Sequence, residues 1–214
     1  MRPYDVRKKG RGPGLLAGAL LLFVALVPAG HAQRGRGAEP RFDELPNFHR
    51  VNERLYRGGQ PRNGALRKLA DLGVKTVINL RDDDRRARAE GQEAEAAGLR
   101  YFNIPFGRLG RPTDEQVEQV LSLIDAPQSG VVFVHCAKGQ DRTGTVVAIY
   151  RITHDGWTGE RAKDEANRYG MKFWQRGMKD FISDYYRDHA PSKKPALAEP
   201  KKKAPPLRTP PRPE

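Results

Sequence analysis

Cysteine is nearly absent from this chain: Cys136 is the only one in 214 residues. A lone thiol closes no intramolecular disulfide, so a small fold stapled by bridges is excluded. Long hydrophobic runs are also missing. The longest, Leu15 to Ala29, has about 15 residues, short of the roughly 20 that a membrane span needs. A charge excess is missing where a nucleic-acid-binding domain would need one. The formal net charge is +13, but residues 33–190 hold 27 basic against 23 acidic side chains, and the surplus sits at the two ends. A strongly cationic core domain, and with it a nucleic-acid partner, is therefore not expected. No internal repeat occurs, and no His/Cys spacing matches a metal site. What remains is a central stretch of roughly 150 residues, long enough to bury a core without staples.

The ends have their own grammar. Arg7, Lys8, Lys9 and Arg11 precede the apolar run, and Gly30-His31-Ala32 follows it with small residues where a signal peptidase reads. That order predicts a signal peptide over 1–32, with an uncleaved N-terminal anchor as the alternative. Either one exports the domain, to the periplasm or beyond. Residues 33–44 are expected as a linker, Arg/Gly-rich over its first eight positions. Residues 189–214 hold eight of the 17 prolines, five lysines and no apolar period. Such a composition does not bury enough surface to offset chain entropy, which predicts a disordered tail. It is read as solvated, with contact to an anionic envelope surface as the sharper alternative.

Between them, strand and helix signals alternate. Strands are expected over 54–58, 75–80, 101–105 and 131–134. Helices are expected over 64–72, 85–97, 113–125, 143–153, 158–169 and 173–187. Val117, Val120, Leu121 and Ile124 keep helical spacing, and Thr113 with Gln116 forms a capping box. Val131 to Val134 is apolar at every position, as in a strand covered on both faces. The 85–97 helix, rich in Arg, Glu and Ala, reads as solvent-facing. The last helix is expected to line up Trp174, Met178, Phe181, Ile182 and Tyr185 on one face. The alternation predicts an α/β fold with a central, mainly parallel sheet flanked by helices. Ligands in such sheets bind where strands end and helices begin.

The turn after strand 131–134 reads His135-Cys136-Ala137-Lys138-Gly139-Gln140-Asp141-Arg142-Thr143-Gly144. It sets the only thiol at the mouth of a helix N-terminus, where unpaired N–H groups and the helix dipole favour a thiolate. Gly139 lets the backbone bend so that successive N–H groups point inward at an anion. Arg142, six positions after the thiol, can fork two oxygens of a tetrahedral oxyanion. Thr143 brings a hydroxyl near the sulfur. Nucleophile, cradle and fork together describe cleavage of a phosphate monoester through a cysteinyl-phosphate. A non-catalytic phosphate-binding module needs no thiol, and a sulfur-transfer loop of rhodanese type lacks this arrangement.

The pattern resembles the cysteine-based protein tyrosine phosphatases, whose loop is His-Cys, five residues, Arg, then Ser or Thr. Here it is carried by His135, Cys136, Gly139, Arg142, Thr143 and Gly144. The likeness extends over roughly residues 45–188, through Asn52 to Pro61, Val74 to Leu80 and the stretch from Tyr150 to Trp157. It is greatest to small atypical dual-specificity phosphatases, particularly exported bacterial ones. The resemblance implies Cys136 as nucleophile, Arg142 as phosphate binder and Thr143 as an aid to the leaving thiolate. Ala137, Lys138, Gly139, Gln140 and Asp141 complete the phosphate cradle. His135 tunes Cys136 or serves only the structure.

The leaving group needs a proton, normally from an Asp on a neighbouring loop. The segment 105–114 offers only Asp114, which also suits the first turn of a helix. Relatives often carry the acid a few residues earlier, where this chain has Arg108 to Arg111. Asp141 is the second candidate, as acid or as a residue that orients the loop. Asp82 to Asp84 read as a solvated carboxylate run. Lys138, Arg108 and Arg111 are expected to add positive potential, suiting a phosphorylated protein first and an inositol phosphate or phosphoinositide second. No nucleotide, metal or organic cofactor is implied.

Overall fold

Among the described residues five short strands pair into one sheet, with the β-branched and aromatic residues concentrated in those at 74–79, 100–103 and 131–135, and six α-helices cover it. The computed structural model describes residues 42–189. The strands are β1 (His49–Arg50), β2 (Leu55–Gly58), β3 (Val74–Asn79), β4 (Arg100–Asn103) and β5 (Val131–His135). The helices are α1 (Ala65–Asp71), α2 (Arg85–Ala96), α3 (Asp114–Asp125), α4 (Asp141–Asp155), α5 (Gly159–Arg168) and α6 (Arg176–His189). The strand order is β1-β2-β5-β3-β4, antiparallel only between β1 and β2. The α/β fold with a mainly parallel sheet is thus as expected.

The central strand explains the layers. Along β5, Val132 and Val134 enter one apolar cluster, with α3, α4, α5 and α6, while Phe133 enters a second, with α1 and Ala94 of α2. A strand with helices on both sides has no polar face to show, hence its unbroken apolar sequence. The α3 capping box forms as read: Thr113 Oγ1 accepts from the Gln116 N–H at 3.2 Å, and the Thr113 N–H donates to Gln116 Oε1 at 2.9 Å.

Several boundaries move for physical reasons. Helix α4 starts at Asp141 rather than 143, so Arg142 belongs to its first turn. Helix α6 starts at Arg176 rather than 173. Trp174 is accordingly not part of the buried face with Met178, Phe181, Ile182 and Tyr185; it stands 55 % exposed in the preceding loop. Helix α2 is not solvent-facing all round: Ala87, Glu90, Gly91 and Ala94 are buried. Gly91 lies against the Tyr101 ring, where an added Cβ would come within 3.1 Å. Small residues at helical spacing permit that approach without giving a strong apolar signal. The two-residue β1 is too short to show a period. The folded part begins ahead of residue 45, since Phe42 packs with Phe48 against the second cluster. The expected leader (1–32), most of the linker (33–44) and the tail beyond His189 lie outside the described residues. Among the described residues no helix is long and apolar enough to cross a membrane.

Candidate active site

Strand β5 delivers the loop to the middle of the sheet's C-terminal edge. His135 is in register with Gly58 of β2 on one side and Asn79 of β3 on the other. The chain then leaves the sheet, turns through residues 136–140 and enters α4. Gln140 caps that helix without a side-chain acceptor, so its first N–H groups stay available to an anion.

The loop is held from outside by its carbonyls. Ala137 O accepts from the Gln60 N–H at 3.2 Å. Lys138 O accepts from Asn47 Nδ2 at 3.3 Å. Gly139 O accepts from Asn47 Nδ2 at 2.8 Å and from Arg57 Nη2 at 2.9 Å. With the carbonyls engaged outward, the peptide N–H groups turn to the opposite side. Gly139 sits at φ +69°, and a Cβ there would run into the backbone of Gly58 and Gly59. Only glycine lets the end of β2 back so closely onto the loop.

Cys136 is 3 % exposed and opens at the floor of a cleft of about 670 Å³. Burial opposes ionisation of its thiol. The Thr143 hydroxyl and N–H, the Arg142 charge and the Lys138 N–H outweigh it and hold the thiol below its ordinary value. Arg142 Nη1 donates to Leu80 O at 3.2 Å and Phe106 O at 3.3 Å, which fixes the guanidinium at the cleft wall. His135 is fully buried, and its Nε2 lies 3.0 Å from Glu90 Oε1. Burial would raise the Glu90 carboxyl, but His135, Gln60 and Arg81 hold it below the ordinary range.

The cleft walls come from three more loops. Arg81, Asp82 and Asp84 follow β3, Arg108 and Leu109 follow β4, and Lys172, Trp174 and Gln175 follow α5. Five cations, Arg81, Arg108, Lys138, Arg142 and Lys172, face three carboxylates, Asp82, Asp84 and Asp141. Asp141 Oδ1 accepts from the Lys172 N–H at 2.8 Å. Asp84 caps α2, accepting from the Ala87 N–H at 2.8 Å.

The structure brings Cys136, Ala137, Lys138, Asp141 and Arg142 together along the cleft, with Gly139, Gln140, Thr143 and His135 packed behind or beside them. It does not bring Asp114 there. Asp114 opens α3, outside the cleft lining, near Tyr185, whose phenol burial raises and the Glu118 and Asp114 charges raise further. Arg111 also turns away, pairing with Asp184 at 2.5 Å, so only Arg108 of that loop adds its charge to the cleft.

Sequence reading missed Asn47, Arg57 and Glu90. Arg57 is 1 % exposed, with its guanidinium 4.3 Å above the Tyr169 ring. Burial pushes it down to about 10, opposed by the negative charges of Glu165 and of the Cys136 thiolate. Its Nε and Nη1 find no acceptor among the described residues. The signal for Arg57 was present: a cation inside a strand whose other residues are apolar or glycine. Asn47 left none, because its role depends on a left-handed turn at φ 52°.

This arrangement can move a phosphoryl group. The sulfur forms an S–P bond as the ester P–O bond breaks, the departing oxygen takes a proton, and water then cleaves the S–P bond. Inward N–H groups and the guanidinium balance charge on the transferring oxygens throughout. Fold and site thus define a cysteine-dependent phosphatase. The model of the DSP-PTPase phosphatase fused to NAD+ kinase matches residues 40–184, and the chain belongs to this phosphatase family. It is similar to the dual specificity protein phosphatase TpbA of Pseudomonas aeruginosa, 34 % identical over 162 residues, 73 % of this chain and 72 % of that one. It is 27 % identical to the inositol diphosphatase DSP5 of Arabidopsis thaliana, over 65 % of this chain and 70 % of that one. Among solved structures, a cysteine-to-serine variant of P. aeruginosa TpbA in complex with pTyr aligns with TM-score 0.56 and 27 % identity, covering 70 % of this chain and 90 % of that one. The catalytic core of the PP-IP phosphatase SIW14 from S. cerevisiae shares the fold, with TM-score 0.59 and 20 % identity, over 65 % of this chain and 85 % of that one.

Proposed function

We propose that the chain is an exported phosphatase of phosphoproteins, acting on phosphotyrosine first and on phosphoserine or phosphothreonine second. The observation that carries this reading is Cys136 at the cleft floor, its thiol held below the ordinary value beside Arg142. Cys136 attacks phosphorus, Arg142 and the N–H groups of 137–142 hold the phosphoryl oxygens, and Thr143 steadies the sulfur as it leaves. Asp141 donates the proton to the leaving oxygen. Its place on the cleft lining supports that role over Asp114. His135 acts through the loop backbone rather than on the substrate.

In the full chain, Cys136→Ser is expected to abolish hydrolysis of an aryl phosphate while vanadate still binds. Turnover retained in that variant would overturn the reading. Five cations along the cleft favour a second reading, a phosphatase of inositol phosphates or phosphoinositides. A panel of phosphotyrosyl peptide, phosphoseryl peptide and inositol polyphosphate separates them by kcat/KM, and an inositol phosphate in first place rejects the protein reading.

Export is supported by the charged start, apolar run and small residues of 7–32. N-terminal sequencing of the protein from an envelope fraction tests it: a start at residue 33 fits a cleaved signal, and an intact N-terminus in membranes fits an anchor. Contact of the Lys/Pro-rich tail with an anionic envelope surface is part of the same proposal.

A further inference from the structure

Four large hydrophobic side chains are strongly exposed among the described residues: Leu72, Leu109, Phe173 and Trp174. Leu72 ends α1. The other three, Leu109, Phe173 and Trp174, come from the loops after β4 and α5 and are 75 %, 80 % and 55 % exposed. Leu109 and Trp174 line the cleft itself. Phe173 meets Trp174 edge to face, ring centres 4.8 Å apart, and carries the apolar surface outward.

The two loops that present them are locked to each other. Gln175 Nε2 donates to Arg108 O at 3.2 Å. Gly177, at the start of α6, runs so close to the other loop that a Cβ would lie 2.8 Å from Gly110 C. Arg111 pairs with Asp184 and lays its guanidinium 4.9 Å from the Phe181 ring centre. The hydrophobic side chains therefore stand on a braced platform, and leaving that much apolar surface in water is unfavourable unless something covers it.

We propose that Leu109, Phe173 and Trp174 dock a large apolar side chain flanking the phosphorylated residue of a protein substrate. The proposal rests on the phosphoprotein reading above and adds to it the sequence that the enzyme selects. Continuity with the cleft favours this occupant. The phosphate is fixed near Cys136, so a chain extended from it passes Trp174 and Leu109 on its way out. Successive residues of an extended segment advance about 3.3 Å each with alternating sides, and Phe173, beside Trp174, widens the apolar surface that such a segment meets. A bilayer resting on the rim is the competing occupant, which the test below separates from a peptide.

The test compares two phosphotyrosyl peptides of equal length and charge, one with Leu on both sides of the phosphotyrosine and one with Gln. With the full chain, the Leu peptide is expected to show a kcat/KM about tenfold higher, the gain from covering one apolar side chain. In Leu109→Ser/Phe173→Ser the ratio is expected to fall to about one to two. Both positions are exposed, so the fold should tolerate the change. A wild-type ratio below two, or a ratio that survives the double substitution, overturns the proposal. Sedimentation with phosphatidylglycerol vesicles supplies the other arm: binding lost in the variant while the peptide ratio stays unchanged assigns the platform to a bilayer and also overturns it. A ratio near one with brisk turnover of both peptides leaves the phosphoprotein reading standing. Failure to turn over either peptide, with inositol polyphosphate hydrolysed, removes that reading as well.

Discussion

The floor of the cleft and its rim are built by opposite rules. On the floor, the carbonyls of residues 137–139 are engaged by donors from outside the loop, Gly139 is wedged against β2, and Cys136, Thr143 and Arg57 are all but inaccessible. On the rim, Leu109, Phe173 and Trp174 face solvent from irregular segments. Phosphoryl transfer needs donors fixed within a fraction of an ångström, which a buried, over-determined backbone supplies. Selection among substrates needs only surface that meets the substrate, and exposed loop side chains can vary there at little cost to the fold.

The comparison predicts large kinetic losses on the floor. Arg142→Lys keeps the charge but loses the fork and its bonds to Leu80 and Phe106. A loss in kcat on the order of 10³–10⁵ is expected, as for other arginines that brace a transferring phosphoryl group. Steady-state kinetics on an aryl phosphate check it, and a loss under tenfold would mean that the floor is less exacting than its geometry implies.

One layer further back, Arg57→Met should lower kcat by about 10²-fold through a loosened Gly139 carbonyl. The same variant has a pH signature. Arg57 places a positive charge near a sulfur that the fold already holds below its ordinary value. Removing that charge disfavours the thiolate, so the thiol value rises. Alkylation of Cys136 by iodoacetamide, followed against pH, should then show its rise at higher pH in Arg57→Met than in the native chain. Arg57→Lys should restore part of the shift but not the Gly139 bond geometry, and an unmoved profile in Arg57→Met would reduce Arg57 to packing.

The floor was legible in the sequence because its chemistry is local. His135 to Gly144 is one stretch, and strand, glycine, thiol and arginine follow in the order the backbone needs. The sheet was legible for the same reason, with β5 announcing itself by four apolar residues in a row and β3 by a short β-branched run. What escaped was non-local. Asn47 reaches the loop across 92 positions and Arg57 across 82. Glu90 meets His135 only through the packing of a helix whose buried face is made of small residues. The rim escaped for a different reason. Trp174 has the spacing of a helix face toward Met178 and Phe181, yet the helix begins after it, and a period read from sequence carries no boundary of its own.

The last comparison sets the two carboxylates that sequence reading left in competition against each other, and the smallest predicted effect belongs to Asp114. Asp141 lines the cleft and is fixed by the Lys172 N–H. Asp141→Asn should remove the proton donor, lower kcat for a poor leaving group by about 10²-fold or more, and flatten the alkaline limb of its pH profile, where the acid must still hold its proton. Asp114 stands outside the cleft at the head of α3, with Glu115 beside it and the Thr113–Gln116 box already satisfying the helix end. There a carboxylate serves the helix dipole, worth roughly 0.3–1 kcal/mol. Asp114→Asn should therefore leave kcat within about threefold and lower the melting temperature by roughly 1–4 °C. The pair is decisive because both substitutions remove one charge and keep the side-chain shape. A large kinetic loss at Asp114 with none at Asp141 would place proton transfer at the end of the segment that carries Leu109 and erase the division of labour between rim and floor.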